Sequence, residues 1–342
     1  METKLIKVDN GNMLTAAKEA AELLNGGSVV AIPTETVYGL AASIYSEEAL
    51  REVYAVKGRP QDNPVIVHIS DESMLDGIVT EIPEDARILA QHFWPGPLTM
   101  IFRKTDRVSD TITCGLDSVA VRFPSHPVAH AVIEAAGVPL AAPSANLSGK
   151  PSPTTAEHCV HDLWGKVPLI LDGGQCDVGV ESTVVSVLGD HPVILRPGII
   201  SLEEIRKYLP SAEVSEAVTR KVSDDEKVAS PGLKYKHYSP DCKVILVKGS
   251  LDSFSRYVAG QRKEGDWAMC FSGEEDHIPL SCLTYGTEGD AESQAHSIFA
   301  VLRELDQLGA KRVFVRAPEE DGRSMAVSNR LMRAAGFEEV LL

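Results

Sequence analysis

The chain reads as an α/β protein in two parts: an N-terminal twisted mixed sheet with flanking helices, and a small C-terminal Rossmann-like α/β domain. Three observations predict this. Short runs rich in valine and isoleucine alternate with segments of helical spacing along the whole chain. A length of 342 residues usually means two domains. Residues 212–241 are mixed in charge and end in SPGLKYKHYSP (230–240), with two prolines, a glycine and few core-type residues, as a linker would. The expected division is 1–211, a linker over 212–242, and 243–342.

Residues 15–24 are predicted helical, with Ala17, Ala20, Ala21 and Leu24 on the buried side and Gly26 and Gly27 ending the helix. Residues 29–32 form a predicted strand that Pro33 stops, and 47–56 a second helix. Further strands are predicted at 65–69, 98–102 and 119–123, a helix at 128–136, and strands at 138–142, 169–171, 182–187 and 193–195. Several of these pairs read as antiparallel, hence a mixed sheet. Beyond the linker, 244–247, 267–271 and 313–315 are short apolar runs, and 290–308 has helical spacing, with Ile298, Val301, Leu302 and Leu305 on one face. That alternation predicts a largely parallel sheet.

Composition excludes several function classes. Apolar residues are 44% and charged residues 24%, ample for a globular core. The net charge of −16 argues against a broad basic face for nucleic acid, leaving only local cationic clusters. Six scattered cysteines without a CxxC pair suit neither a disulfide framework nor a zinc site, and fit a reducing, cytoplasmic setting. No run approaches the roughly eighteen apolar residues of a membrane span, and the charged, mixed N-terminus is not a secretory signal. There is no GxxxxGK[ST], GxGxxG after a strand, HExxH or GxSxG.

The informative residues sit where predicted strands end, as ligand sites in α/β proteins do. PTETVYGLA (33–41) is a hydroxyl-rich turn; it suits a small polar ligand, or Thr36 caps a helix. KGRPQDNPVIVH (57–68) places Lys57 and Arg59 around a glycine at a helix end, either as partners of the helix dipole or as a phosphate site. His68 ends an apolar strand. In TCGLDSVAVRFPSHP (113–127), Arg122 follows an apolar strand and needs an anion if buried: a substrate carboxylate or an internal acid. His126 and His130 share a spacing of four but lack a third ligand motif. PLAAPSANLSGKPSPT (139–154) lets a ligand approach the backbone and offers Ser144, Asn146 and Ser148. Ser182 and Thr183 enter one strand in GVESTVV (179–185), and Arg196 leaves the next in ILRPG (194–198).

Together these segments, with WPGPLT (94–99), resemble the YrdC family of threonylcarbamoyl-AMP synthases over about residues 28 to 200, and the linker and α/β tail look like its two-domain form. The resemblance implies that threonine takes up bicarbonate or CO2 on its amine and that the resulting carboxylate attacks the α-phosphate of ATP, releasing pyrophosphate. This is the first step of tRNA threonylcarbamoyladenosine formation. It implies Lys57 and Arg59 as catalytic cations and an ATP site of Lys57, Arg59, Asn63, Ser144, Asn146, Arg196 and Tyr238. The implied threonine site is Thr34, His68, Thr113, Arg122, Ala142 and Ser182, with Arg122 on the carboxylate. Mg2+ arrives with ATP, held by phosphates and water rather than by protein ligands. The product passes to a tRNA threonylcarbamoyl-transferase complex, tRNA contact is secondary, and no membrane is involved. Fixed cations facing the charge that develops on the phosphates suit this chemistry. The alternative, an RNA-binding, translation-associated protein without catalysis, is weakened by the acidic composition. Lys234, Tyr235, Lys236, His237 and Tyr238 are expected to fold back over the N-terminal cleft as a lid.

Overall fold

The computed structural model describes residues 1–218, 237–320 and 322–342, and these divide into two compact units. The first gathers residues 1–148, 152–177 and 181–218. The second gathers the described residues from 237 onward, with the short stretches 149–151 and 178–180. Among the described residues, no helix is long and apolar enough to cross a membrane. Lys234, Tyr235 and Lys236 of the expected lid lie outside the described residues.

The first unit runs β1 (Lys4–Lys7), α1 (Met13–Asn25), β2 (Val30–Ile32), β3 (Gly39–Ser43), α2 (Glu47–Lys57), β4 (Val67–His68), α3 (Glu84–Phe93), β5 (Leu98–Arg103), α4 (Asp110–Thr113), β6 (Ser118–Arg122), α5 (Pro127–Ala136), β7 (Leu140–Ala141), α6 (Ala156–Leu163), β8 (Leu169–Asp172), β9 (Thr183–Ser186), β10 (Val193–Arg196), α7 (Leu202–Arg206) and β11 (Glu213–Val214). Its strands form one eleven-stranded sheet in the order β1-β8-β2-β3-β7-β4-β6-β5-β9-β10-β11. The sheet is mixed: β4 and β6 run parallel, as do β5 and β9, whereas β5 and β6 are antiparallel.

Local chemistry sets the helix ends. In α2, the Ser46 hydroxyl accepts from the Ala49 amide, Glu47 and Glu48 fill the first turn, and Lys57 sits in the last, all favourable to the helix dipole. Gly58 then takes the left-handed conformation at φ 61°, which only glycine adopts without strain, and turns the chain away. In α5, Pro127 starts the helix and His126 Nδ1 caps it, accepting from the Val128 amide. Here the cap is a use of His126 that the spacing with His130 did not suggest.

Two differences from the sequence reading stand out. The hydroxyl-rich turn read over 33–41 is present at 35–37, but the chain then enters β3, buried throughout and paired with β2 and β7, and the alternative of a helix capped by Thr36 does not hold, since no helix follows. Glu213–Val214, expected in the linker, is the edge strand β11, parallel to β10.

Helix coverage decides where a site can form. On one face of the sheet, the alanine-rich side of α1 (Ala16, Ala17, Ala20, Ala21) packs with Val128, Val132 and Ile133 of α5 over Val30, Ala41 and Leu140. Because paired residues on neighbouring strands share a face, Leu140 leads directly to His68, then Arg122, then Thr99, then Val184. Beneath that polar row lies a small separate apolar cluster of Ile66, Ile101, Ala120 and Val184. The opposite face of the same strands carries Val65, Val67, Val119, Val121, Leu98 and Met100 into the main core.

In the second unit, β12 (Lys243–Lys248), α8 (Leu251–Gln261), β13 (Asp266–Cys270), β14 (Ser281–Thr284), α9 (Ala291–Gln307), β15 (Arg312–Arg316), α10 (Ser324–Ala334) and β16 (Glu339–Leu341) form an all-parallel sheet, ordered β14-β13-β15-β12-β16. Ile298, Leu302 and Leu305 of α9 are buried, as their spacing predicts.

Candidate functional site

Arg122 ends β6, and because β4 runs parallel beside it, His68 is its direct neighbour. Both are buried. The Arg122 guanidinium is held from three sides. Nε donates to the Gly96 carbonyl at 3.3 Å, Nη1 donates to Thr36 Oγ1 at 2.8 Å, and Nη2 lies 2.7 Å from Glu35 Oε1. The last contact is a charge-assisted pair made through one guanidinium nitrogen and one carboxylate oxygen, not a two-bond fork. Burial alone would raise the Glu35 carboxyl, but the Arg122 charge beside it holds the group below the usual carboxylate range. Of the two anions the sequence left open for Arg122, an internal acid is therefore present in this structure.

His68 Nδ1 lies 3.3 Å from the Ile66 carbonyl, which can only accept, so Nδ1 carries the proton and Nε2 is the acceptor. Burial, reinforced by the Arg122 charge, pushes the imidazole down to about 3. His68 thus stays neutral near pH 7. Thr34 organises the turn after β2: its hydroxyl donates to the Val37 carbonyl at 2.6 Å and lies 2.9 Å from the Thr36 hydroxyl. Thr34 is in this way tied to Arg122 through Thr36.

The far end of the row is built around Ser182, just before β9. Its hydroxyl lies 2.7 Å from Thr99 Oγ1 and accepts from Arg196 Nη2 at 3.2 Å. Arg196, at the end of β10, also donates through Nε and Nη2 to the Ser182 carbonyl at 3.2 and 3.0 Å. The chain returns so closely that a Cβ on Gly198 would stand 2.3 Å from the Thr183 amide nitrogen.

The expected nucleotide residues form a second group. Lys57 is 3% exposed, and Nζ donates to the carbonyls of Ser144 and Asn146, the latter at 2.6 Å. The Ser148 amide returns a bond to the Lys57 carbonyl at 2.8 Å. Lys57 therefore has a first duty that spacing did not reveal: it ties the loop carrying Ser144 and Asn146 to the end of α2. Ala142 opens the same loop, its amide bonded to Ile66. Arg59 likewise stiffens its own loop, donating to the carbonyls of Asn63 at 3.0 Å and Pro64 at 2.7 Å. It also borders a cleft of about 760 Å3 lined by Arg51, Tyr54, Gln61, Asp110 and Cys114, which holds no other candidate residue.

Two candidates carry polar atoms with nothing to bind. The Asn63 carboxamide nitrogen and oxygen and the Thr113 hydroxyl are buried and lack hydrogen-bond partners. Their loops are joined by the Tyr54 hydroxyl, at 3.3 Å from the Asn63 carbonyl and 2.9 Å from that of Thr111. Orphaned buried polar groups are rare in folded proteins and call for a partner, either a water or a ligand.

Tyr238 belongs to the second unit, at φ 64°, its ring 5.1 Å from Phe299 and 5.5 Å beneath the Arg330 guanidinium. The residues missed by the sequence reading are Glu35, Thr36 and Thr99. All three stand in the motif segments, and the one usable signal was an acid placed among hydroxyls at a strand end.

Residues 22–198 match a family model described as telomere recombination, and residues 200–336 match one described as the threonylcarbamoyl-AMP synthase C-terminal domain. The chain is 44% identical to the threonylcarbamoyl-AMP synthase of Pyrococcus abyssi, over 93% of each chain. It is 42% identical to that of Bacillus subtilis, over 93% of this chain and 92% of the relative. Among solved structures, the crystal structure of P. abyssi Sua5 complexed with L-threonine superimposes with a TM-score of 0.93 at 39% identity, covering 99% of this chain and all of that one. With both family models in register and near-complete coverage by relatives, this chain belongs to the threonylcarbamoyl-AMP synthase family.

Proposed function

We propose that the chain makes L-threonylcarbamoyl-AMP and pyrophosphate from L-threonine, bicarbonate or CO2, and ATP, and so supplies the activated group for tRNA threonylcarbamoyladenosine formation. The observation that carries this reading is the buried row of His68, Arg122, Thr99 and Ser182 on the sheet face, flanked by a cationic loop system. A zwitterionic, hydroxylated amino acid matches that row. Arg122 meets its carboxylate, and neutral His68 and Ser182, with Thr34 behind them, meet its polar groups. Thr113 and Ala142 complete the boundary of the threonine site.

In the reaction, the threonine nitrogen forms a bond to the carbon of CO2, losing a proton, and the new carboxylate oxygen attacks the α-phosphorus as the bond to pyrophosphate breaks. Arg59 and Arg196 stabilise the charge that gathers on the phosphates, in a site where water is scarce. Lys57 contributes by fixing the loop that presents Ser144 and Asn146 to the nucleotide, and Asn63 offers its unsatisfied carboxamide to the same ligand. Among the described residues, no group of three or more His, Cys, Asp or Glu is gathered to hold a metal. Mg2+ enters on the ATP phosphates, held by them and by water. The product is handed to a threonylcarbamoyl-transferase acting on tRNA.

The test is pyrophosphate release by the purified protein. It should require ATP, threonine and bicarbonate together and produce a threonylcarbamoyl-adenylate detectable by mass spectrometry. Release that ignores threonine and bicarbonate would overturn the assignment.

A further inference from the structure

Glu35 is 4% exposed and carries a carboxylate. Leaving such a charge buried is expensive unless it is compensated. The compensation is Arg122, 2.7 Å away, with both side chains almost wholly shielded from solvent. A pair kept only for stability would be expected to align as a two-bond fork, the strongest arrangement open to arginine and a carboxylate. This pair does not. Glu35 meets the guanidinium through Nη2 alone and also accepts from the Ser125 backbone, while the other two guanidinium nitrogens are fixed by Gly96 and Thr36. The carboxylate thus restrains the guanidinium while taking one of the two Nη2 N–H donors.

We propose that Glu35 is a positioning residue for substrate binding: it holds the Arg122 guanidinium in place beside Thr36 and leaves the second Nη2 N–H for the carboxylate of threonine. This rests on the reading that Arg122 takes that carboxylate. Glu35 also cancels the Arg122 charge before threonine arrives, so the empty site does not hold an isolated buried cation that would draw in any small anion. Its place in the chain suits the task. Glu35 stands between Thr34 and Thr36, whose hydroxyls lie 2.9 Å apart, so the turn that orders the hydroxyls also delivers the acid.

The test is a double-mutant cycle on the full chain, reading threonine and ATP affinities separately by calorimetry. Glu35→Gln, Arg122→Gln and the double variant are compared with the wild type, and thermal melts report folding. Glu35→Gln is expected to weaken threonine binding about tenfold or more, the usual scale for a charge-assisted contact, with ATP affinity kept. In the Arg122→Gln background, the same change should cost no more than about twofold, the scatter of independent sites. Glu35→Asp keeps the charge and should recover much of the affinity, and it carries the cycle if Glu35→Gln does not fold. Equal losses from the Glu35 change in both backgrounds, or no loss in either, would show that Glu35 does not act through Arg122. Unaltered threonine binding in Arg122→Gln alone would instead remove the carboxylate role of Arg122 itself. The single variant separates that failure from the other two.

Discussion

Replacing Lys57 by methionine keeps the length and helix propensity of the side chain but removes its charge and all three donors. Two buried carbonyls, of Ser144 and Asn146, then lose their partner. A hydrogen bond to a charged group contributes about 1.5–3 kcal/mol. The methionine partly refills the volume, so a net loss of about 3 kcal/mol is a reasonable sum for two contacts at the low end of that range. At about 2–4 °C per kcal/mol for a unit of 150–250 residues, the first unit should melt about 6–12 °C lower. Calorimetry is the assay, because the two units can unfold separately and each transition must be followed by itself. Since the released loop carries Ser144 and Asn146, ATP affinity should fall more than threonine affinity. A melting temperature within about 2 °C of wild type, with ATP binding intact, would refute the pinning argument. An unchanged melt with ATP binding lost would instead put the Lys57 ammonium directly on phosphate, as its position beside Gly58 first suggested.

Gly198→Ala forces a Cβ to within 2.3 Å of the Thr183 nitrogen and 2.7 Å of the Ser182 carbonyl carbon. It should displace Ser182 and Arg196 together, lowering both thermal stability and threonine affinity in calorimetry. Serine should displace bound threonine more effectively than 2-aminobutyrate, because a site that hydrogen-bonds a hydroxyl rejects its absence more strongly than the loss of a methyl; the reverse order would mean an apolar pocket. The His68 imidazole is pushed down to about 3 from an ordinary 6.5. The unfolded chain therefore binds the extra proton first, and stability is full above pH 6.5 and falls as the pH drops toward 3. Between pH 6.5 and 5 this one group should cost about 2 kcal/mol in denaturant titrations, and His68→Gln should flatten that part of the profile.

Much of this protein is decided locally. The helix α2 could be read end to end, because Ser46, the acidic first turn, Lys57 and Gly58 each act on neighbouring backbone groups. The buried strands at β5 and β6 and the apolar stripe of α9 were legible for the same reason: their periodicity reports a burial pattern within a few residues. Local rules failed where pairing decides. β1, with lysine at both ends, and β3, rich in alanine and glycine, have little strand character and exist because β8, β2 and β7 offer them hydrogen bonds. The motifs named the polar residues of the site but not their partners. Thr99 meets Ser182 across 83 positions, Arg122 meets Thr36 across 86, and Lys57 reaches Asn146 across 89. No spacing rule spans such separations; the pairing of β5 with β9 brings Thr99 to Ser182, and the loops that leave the other strands and α2 bring the rest. The sequence by itself determined which side chains carry charge and hydroxyls and on which elements they ride. Only the tertiary structure decided that Glu35 compensates Arg122 and that Lys57 binds a loop, because a buried charge takes whichever partner the packed sheet brings within about 3 Å.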